Sequence, residues 1–176
     1  FQIVVATVNG TGSQTANTTL IRALFRMGIP VTGKNIFPSN IQGLPTWFTI
    51  RLSREGYIAR RENSEVLVAM NEDTILEDIQ ALPPRGVCIY PQEWKIGHER
   101  DDIVYYPLPV KDLLAETETP AQFRDYVVNM AYVGALAALL EIDLDEVEGA
   151  LDFHFAGKTK PVEMNMRMVR VAYDWT

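Results

Sequence analysis

One cysteine stands in 176 residues. Cys88 lies inside the apolar run "GVCIY". It has no second cysteine for an internal disulfide, and alone it builds neither a zinc site nor an iron–sulfur site. A buried structural thiol is expected, and the scarcity of cysteine fits a reducing, cytoplasmic compartment. There are only two histidines, His98 and His154, and they have no ligand-like spacing to each other or to Cys88. No metal site is expected. Long apolar runs are missing too. The longest, "MAYVGALAALL", falls short of the ~18 residues that span a bilayer and reads as a buried helix. No basic stretch precedes the strand-like residues at the start, so no secretory signal is read there. The first residue is Phe1 and not Met, which leads us to expect a piece cut from a longer polypeptide.

Positive charge is also scarce, with a net charge of -7. A general nucleic-acid binder needs a basic face to release counterions, so that class is set aside, as is a membrane protein. Arg51, Arg54, Arg60 and Arg61 are the exception, clustered in a short span. They fit a solvated hairpin or a local anion or partner contact. No internal repeat and no low-complexity linker divides the chain, so residues 1–176 are expected to form one domain.

What is present is an alternation of strands and helices. Residues 2–8 read as a fully buried strand, and Ala16, Leu20, Ala23, Leu24 and Met27 mark a helix over 13–27, ended by Gly28. "IPVTGKNIF" is a second strand and "TWFTIRLS" a third, with "REGY" turning back toward "YIARRE" as a β-hairpin excursion. Residues 64–70, "GVCIYP" and "DIVYYPL" follow as strands, with a helix about 73–80 capped by Asn71 or Asp73. The last third is helical. One helix runs from Thr119–Pro120 to about Leu140, another follows the capping box Asp143–Glu146, and the last is opened by Pro161. Val162, Met166, Val169 and Tyr173 form its core stripe. Continuous apolar strands separated by helices give an α/β class: a three-layer domain around a mostly parallel sheet.

The turn "VNGTGSQTANTT" sits beyond the carboxyl end of the first strand, where open α/β sheets bind ligands. Gly10 and Gly12 let a backbone approach closely, and Ser13, Gln14 and Thr15 begin a helix whose free N–H groups favour an anion. Ser13 capping its own helix explains the same residues without a ligand. The dinucleotide fingerprint is only partly met, because Thr15 replaces the third glycine and no acid follows at the ribose position. "GIPVTGKN" meets G-x-x-x-x-G-K, but Asn35 replaces Ser or Thr and a helix precedes it where a P-loop needs a strand. No nucleophile elbow or Cys/His pair occurs, and the acids of "TILEDIQ" and "EIDLDEVE" read as helix faces and caps. No catalytic residue is expected here.

The segment "VNGTGSQTANTTLIRALFRMGIPVTGKNIFPSNIQGLPTWFTIRLS" resembles the gamma domain of 2-oxoacid:ferredoxin (acceptor) oxidoreductases, in the form fused to the N-terminus of an alpha subunit. The likeness continues through "SEVLVAMNEDT" and "NMAYVGALAALLEID". Many members carry a further glycine where this chain has Ser13. Many read Pro-Ser-x-Ile-Arg-Gly-Gly where this chain keeps Pro38, Ser39, Ile41 and Gly43 but has Gln42 for Arg and Leu44 for Gly. The resemblance implies an enzyme that oxidatively decarboxylates a 2-oxoacid to an acyl-CoA and reduces ferredoxin, with 2-oxoglutarate preferred. It places thiamine diphosphate, Mg and an iron–sulfur cluster in partner alpha and beta domains or subunits, and leaves none of these cofactors on this domain alone. Coenzyme A is expected at its edge, near Gly10, Gly12, Ser13, Gln14, Asn40 and Gln42. An independent nucleotide-binding or scaffold module remains the alternative.

Overall fold

A computed structural model describes residues 1–37, 41–97 and 100–176. Six strands form a single sheet in the order β2-β3-β1-β4-β5-β6, with β1 at Gln2–Val8, β2 at Val31–Ile36, β3 at Pro45–Leu52, β4 at Val66–Ala69, β5 at Val87–Pro91 and β6 at Val104–Leu108. β1, β4, β5 and β6 are parallel neighbours, and β3 alone runs against both of its neighbours, β1 and β2. The α/β class with a mostly parallel sheet is therefore as the sequence indicates. The antiparallel excursion lies earlier than expected, however. "YIARRE" forms no strand, and β3 pairs instead with β2, from Val31↔Leu52 to Ile36↔Trp47. Gln2 accounts for this. Its fully buried side chain accepts from the Arg61 N–H at 2.8 Å and donates to the Arg61 carbonyl at 3.1 Å and to Ser64 Oγ at 2.8 Å. The Arg61 N–H and carbonyl are thus satisfied without a ladder.

The chain divides into two compact units. The first, residues 1–10 and 30–109, carries the sheet and α2 at Ile75–Gln80. Its core joins Ala6, Leu67, Cys88 and Tyr90 from the sheet to Ile75 and Ile79 of α2. Burial pushes the Cys88 thiol up to about 12, so it stays a protonated core group.

The second unit, residues 11–29 and 110–176, is helical. It holds α1 at Ser13–Arg26, α3 at Val110–Glu116, α4 at Arg124–Val127, α5 at Met130–Leu139, α6 at Leu144–His154 and α7 at Thr159–Trp175. α1 ends as its glycine indicates. Gly28 adopts φ 77°, its N–H bonds the Phe25 carbonyl, and the Ile29 N–H reaches back to Leu24. α5 and α7 pack so closely at Gly134 that an added Cβ would lie 2.2 Å from the Val169 carbonyl oxygen. Val162, Met166 and Val169 of α7 are buried as the stripe requires. The helix expected from 119 to 140 is broken, with a 3-10 turn at Ala121–Phe123, then α4, then α5. At the break the buried Asn129 side chain donates to the Thr11 carbonyl at 2.7 Å. α3, which the sequence reading did not place, begins directly after Pro109.

Candidate functional site

The glycine-rich turn is where the chain passes from the first unit to the second, between Gly10 and Thr11. In the first unit, Asn9 gathers the segment 41–44. Its N–H donates to the Leu44 carbonyl at 2.9 Å, its carbonyl accepts from the Gly43 N–H at 3.0 Å, and its side-chain amide donates to the Ile41 carbonyl at 3.2 Å. Gly10 has φ 91°, and a Cβ there would meet Gln42 Cγ at 2.8 Å. The space over Gly10 is taken by this chain's own Gln42, whose side chain is exposed. Asn40 lies outside the described residues, as do Pro38 and Ser39 of the same motif and His98.

In the second unit, Gly12 is the residue that caps α1, with φ 81° in the left-handed region, and Ser13 is the first helical residue. The reading of Ser13 as its own cap is corrected accordingly, because a positive φ at the cap position favours glycine. A Cβ on Gly12 would lie 3.2 Å from both Cα and Cδ1 of Tyr126. Gln14 Nε2 reaches Thr18 Oγ1 at 3.3 Å on the next turn. Ser13 is buried, and its carbonyl accepts from the Tyr132 hydroxyl at 3.4 Å while that hydroxyl also donates to Asn17 Oδ1 at 2.9 Å. Tyr132 is fully buried, and burial pushes its hydroxyl far above the ordinary phenol range. It serves as a neutral donor. Thr15 Oγ1 lies 3.3 Å from His154 Nε2, and burial, then the Arg22 charge, lower that imidazole's pKa.

So the structure brings Gly10 together with Gln42, and it sets Gly12, Ser13 and Gln14 at the start of α1. Tyr126, Asn129 and Tyr132, which fix that helix start, were missed by sequence reasoning. Tyr126 follows the charged pair Arg124 and Asp125, and Asn129 and Tyr132 lie in the mostly apolar stretch from Val127 on, where spacing alone does not show what they bond. The basic cluster is partly spoken for. Arg51 donates to the Phe1 carbonyl at 3.1 Å, and Arg61 pairs with Glu65.

A second arrangement in the first unit was also missed. Asp78 of α2, read as a helix-face acid, accepts from Trp47 Nε1 at 2.8 Å and from Thr74 Oγ1 at 2.8 Å. Burial, first of all, raises its pKa, while the two hydrogen bonds oppose the rise and Glu77 adds to it. Asp78 and Trp47 border a cavity of about 240 Å³.

Among the described residues no group of three His, Cys, Asp or Glu stands close enough to hold a metal ion, and no helix is long and apolar enough to cross a membrane. The start of α1 offers backbone N–H donors, which suit contact with part of an anionic ligand.

The chain is 19% identical to subunit alpha of 2-oxoacid:ferredoxin oxidoreductase 2 from Aeropyrum pernix, over 98% of this chain and 33% of that subunit. It thus spans about a third of the length of that curated relative. Its fold matches 2-oxoglutarate:ferredoxin oxidoreductase from Magnetococcus marinus, a structure with 2-oxoglutarate, coenzyme A and succinyl-CoA bound. That match has a TM-score of 0.77 and 21% identity, and covers 99% of this chain and 30% of that one. It also matches a pyruvate oxidoreductase subunit from Thermotoga maritima, with a TM-score of 0.75, 19% identity and coverage of 99% and 95%. The gamma subunit of a keto/oxoacid ferredoxin oxidoreductase from Geobacter sulfurreducens gives a TM-score of 0.75 at 14% identity, with coverage of 99% and 96%. The profile of the family described as pyruvate ferredoxin/flavodoxin oxidoreductase matches residues 2–175, and the chain belongs to that family.

Proposed function

We propose that this chain is the gamma domain of a 2-oxoacid:ferredoxin oxidoreductase, of the kind joined to the N-terminus of an alpha subunit. The family match over residues 2–175 carries this reading, because it spans essentially the whole chain. The Aeropyrum pernix relative supports the fused arrangement, since this chain corresponds to a third of that alpha subunit. The complete enzyme would convert a 2-oxoacid, with 2-oxoglutarate preferred, to its acyl-CoA and pass electrons to ferredoxin. Thiamine diphosphate with Mg and the iron–sulfur cluster would reside in the alpha and beta partners and supply the decarboxylation and electron transfer there.

The role of this chain is to support assembly and to line the coenzyme A side of the active site. In the first unit, the Gln42 carboxamide is an exposed donor for a phosphate or an amide of the ligand, and the three bonds from Asn9 hold its segment in place. In the second, the α1 start at Gly12, Ser13 and Gln14 presents the positive end of a helix. Asn40 is proposed with them from the sequence motif. Gln42 replaces the arginine of many relatives, so coenzyme A is held here by neutral hydrogen bonds.

Calorimetric titration of the whole complex with coenzyme A tests this role, followed by steady-state kinetics on Gln42→Ala. The expected result is a binding heat, and a raised KM for coenzyme A with the KM for the 2-oxoacid unchanged. No heat with the complex, or an unchanged KM for coenzyme A, would remove the assignment.

A further inference from the structure

The cavity in the sheet-bearing unit has walls of different chemistry. Val4, Ile36 and Trp47 come from the sheet, and Ala81 and Leu82 from the end of α2. The polar lining includes the half-buried Asp78 and the exposed Arg60 and Glu62, whose segment is tethered by the buried Gln2. The cavity is thus built by secondary structure and a fixed loop, with a volume of about 240 Å³ that suits one side-chain-sized group.

Asp78 is the feature that selects the ligand. Each of its oxygens already accepts one bond, from Trp47 Nε1 and from Thr74 Oγ1, which fixes the carboxylate's orientation. Each oxygen keeps a second lone pair. Among the described residues, the side-chain charge that bears on it is that of Glu77, of the same sign. A half-buried carboxylate is costly to keep charged, and the lining supplies one cation, the exposed Arg60, together with the acid Glu62. At the cavity's edge Arg60 and Glu62 offset each other, so the net charge of the lining is that of Asp78.

We propose that this cavity binds a guanidinium group, with the Asp78 carboxylate as its acceptor and the Trp47 indole as its packing surface. A planar fork of N–H donors matches two fixed oxygens and stacks on an aromatic ring, where an ammonium provides only a point charge. The apolar walls accommodate the aliphatic stem of such a side chain. The group is supplied either by an arginine of a partner polypeptide or by a free guanidino compound.

The test follows the Trp47 indole N–H resonance, assigned with Trp47→Phe, in the ¹⁵N-labelled chain. N-acetyl-arginine amide is expected to shift it saturably, and the uncharged N-acetyl-citrulline amide to leave it in place. Asp78→Asn is expected to weaken the binding at least about tenfold, the loss of one charge-assisted contact. Free arginine distinguishes the sources. Capped arginine binding as well as the free amino acid identifies a peptide side chain, and much tighter binding of free arginine identifies a small guanidino compound. The proposal is overturned if capped and free arginine both fail to shift the resonance saturably, or if the citrulline amide shifts it equally. These readouts on the parent chain decide the matter even if Asp78→Asn does not fold.

Discussion

The Tyr132 hydroxyl donates to Asn17 Oδ1 at 2.9 Å, and both residues are buried. This bond ties α5 to α1 one turn beyond the candidate helix start. Removing the hydroxyl strands the Asn17 carbonyl oxygen without its donor. Tyr132→Phe is expected to cost about 1–3 kcal/mol. Chemical denaturation reads this as a lower midpoint with an unchanged slope. A midpoint equal to that of the parent would show that the bond contributes nothing.

Gly134 is a second point where the packing leaves no freedom. An added methyl would stand 2.2 Å from a backbone oxygen of α7 and 2.8 Å from Ala172 Cβ, and neither can rotate away. Gly134→Ala is expected to destabilise by about 1–3 kcal/mol despite alanine's better helix propensity, and valine by more. Thermal melts of both variants give the order.

The two turn glycines differ in what opposes a side chain. At Gly12, alanine meets the left-handed φ and the Tyr126 Cα, for about 1–3 kcal/mol. At Gly10 the φ strain is similar, but the crowding atoms belong to the movable end of Gln42. Gln42→Ala should therefore recover about 0.5 kcal/mol or more of the Gly10→Ala loss in a double-mutant cycle. Tyr126→Ala should recover little of the Gly12→Ala loss, since the Cα and carbonyl remain.

His154 gives a pH dependence of defined sign. Burial, then Arg22, hold its folded pKa below the ordinary 6.5. The folded state prefers the neutral ring, so this contribution is full above pH 6.5 and is lost as pH falls through the folded value. His154→Gln is expected to flatten the stability profile below pH 6.5 and leave it unchanged above. Denaturation midpoints at a series of pH values test this.

Much of the fold was legible because local chemistry and tertiary demand agree. The β1 strand spans the same residues in the sequence and in the structure, and Gly28 ends α1 with the bonds its position calls for. Asp143 caps α6 through its side chain, accepting from the Asp145 N–H at 2.9 Å. Its expected capping-box partner, Glu146, instead pairs with Arg26 at 2.5 Å, a choice that depends on residues 120 positions apart. The break before α5 was hidden for the same reason, because Asn129 is drawn to the Thr11 carbonyl from far along the chain. α3 did leave a signal, in Pro109 followed by Val110, Leu113 and Leu114 at helical spacing. Of the candidate site, the glycines and Gln42 were legible as a motif. That Gln42 and Tyr126 occupy the space over those glycines was not, since only the folded backbone shows it.

Coenzyme A-dependent oxidation of 2-oxoglutarate by the complete enzyme containing this chain, with ferredoxin as acceptor, is the most direct measurement of the central claim. The account predicts that succinyl-CoA and reduced ferredoxin form together, and that omitting coenzyme A stops turnover. An enzyme that reduces no ferredoxin with any 2-oxoacid, coenzyme A being present, would contradict it.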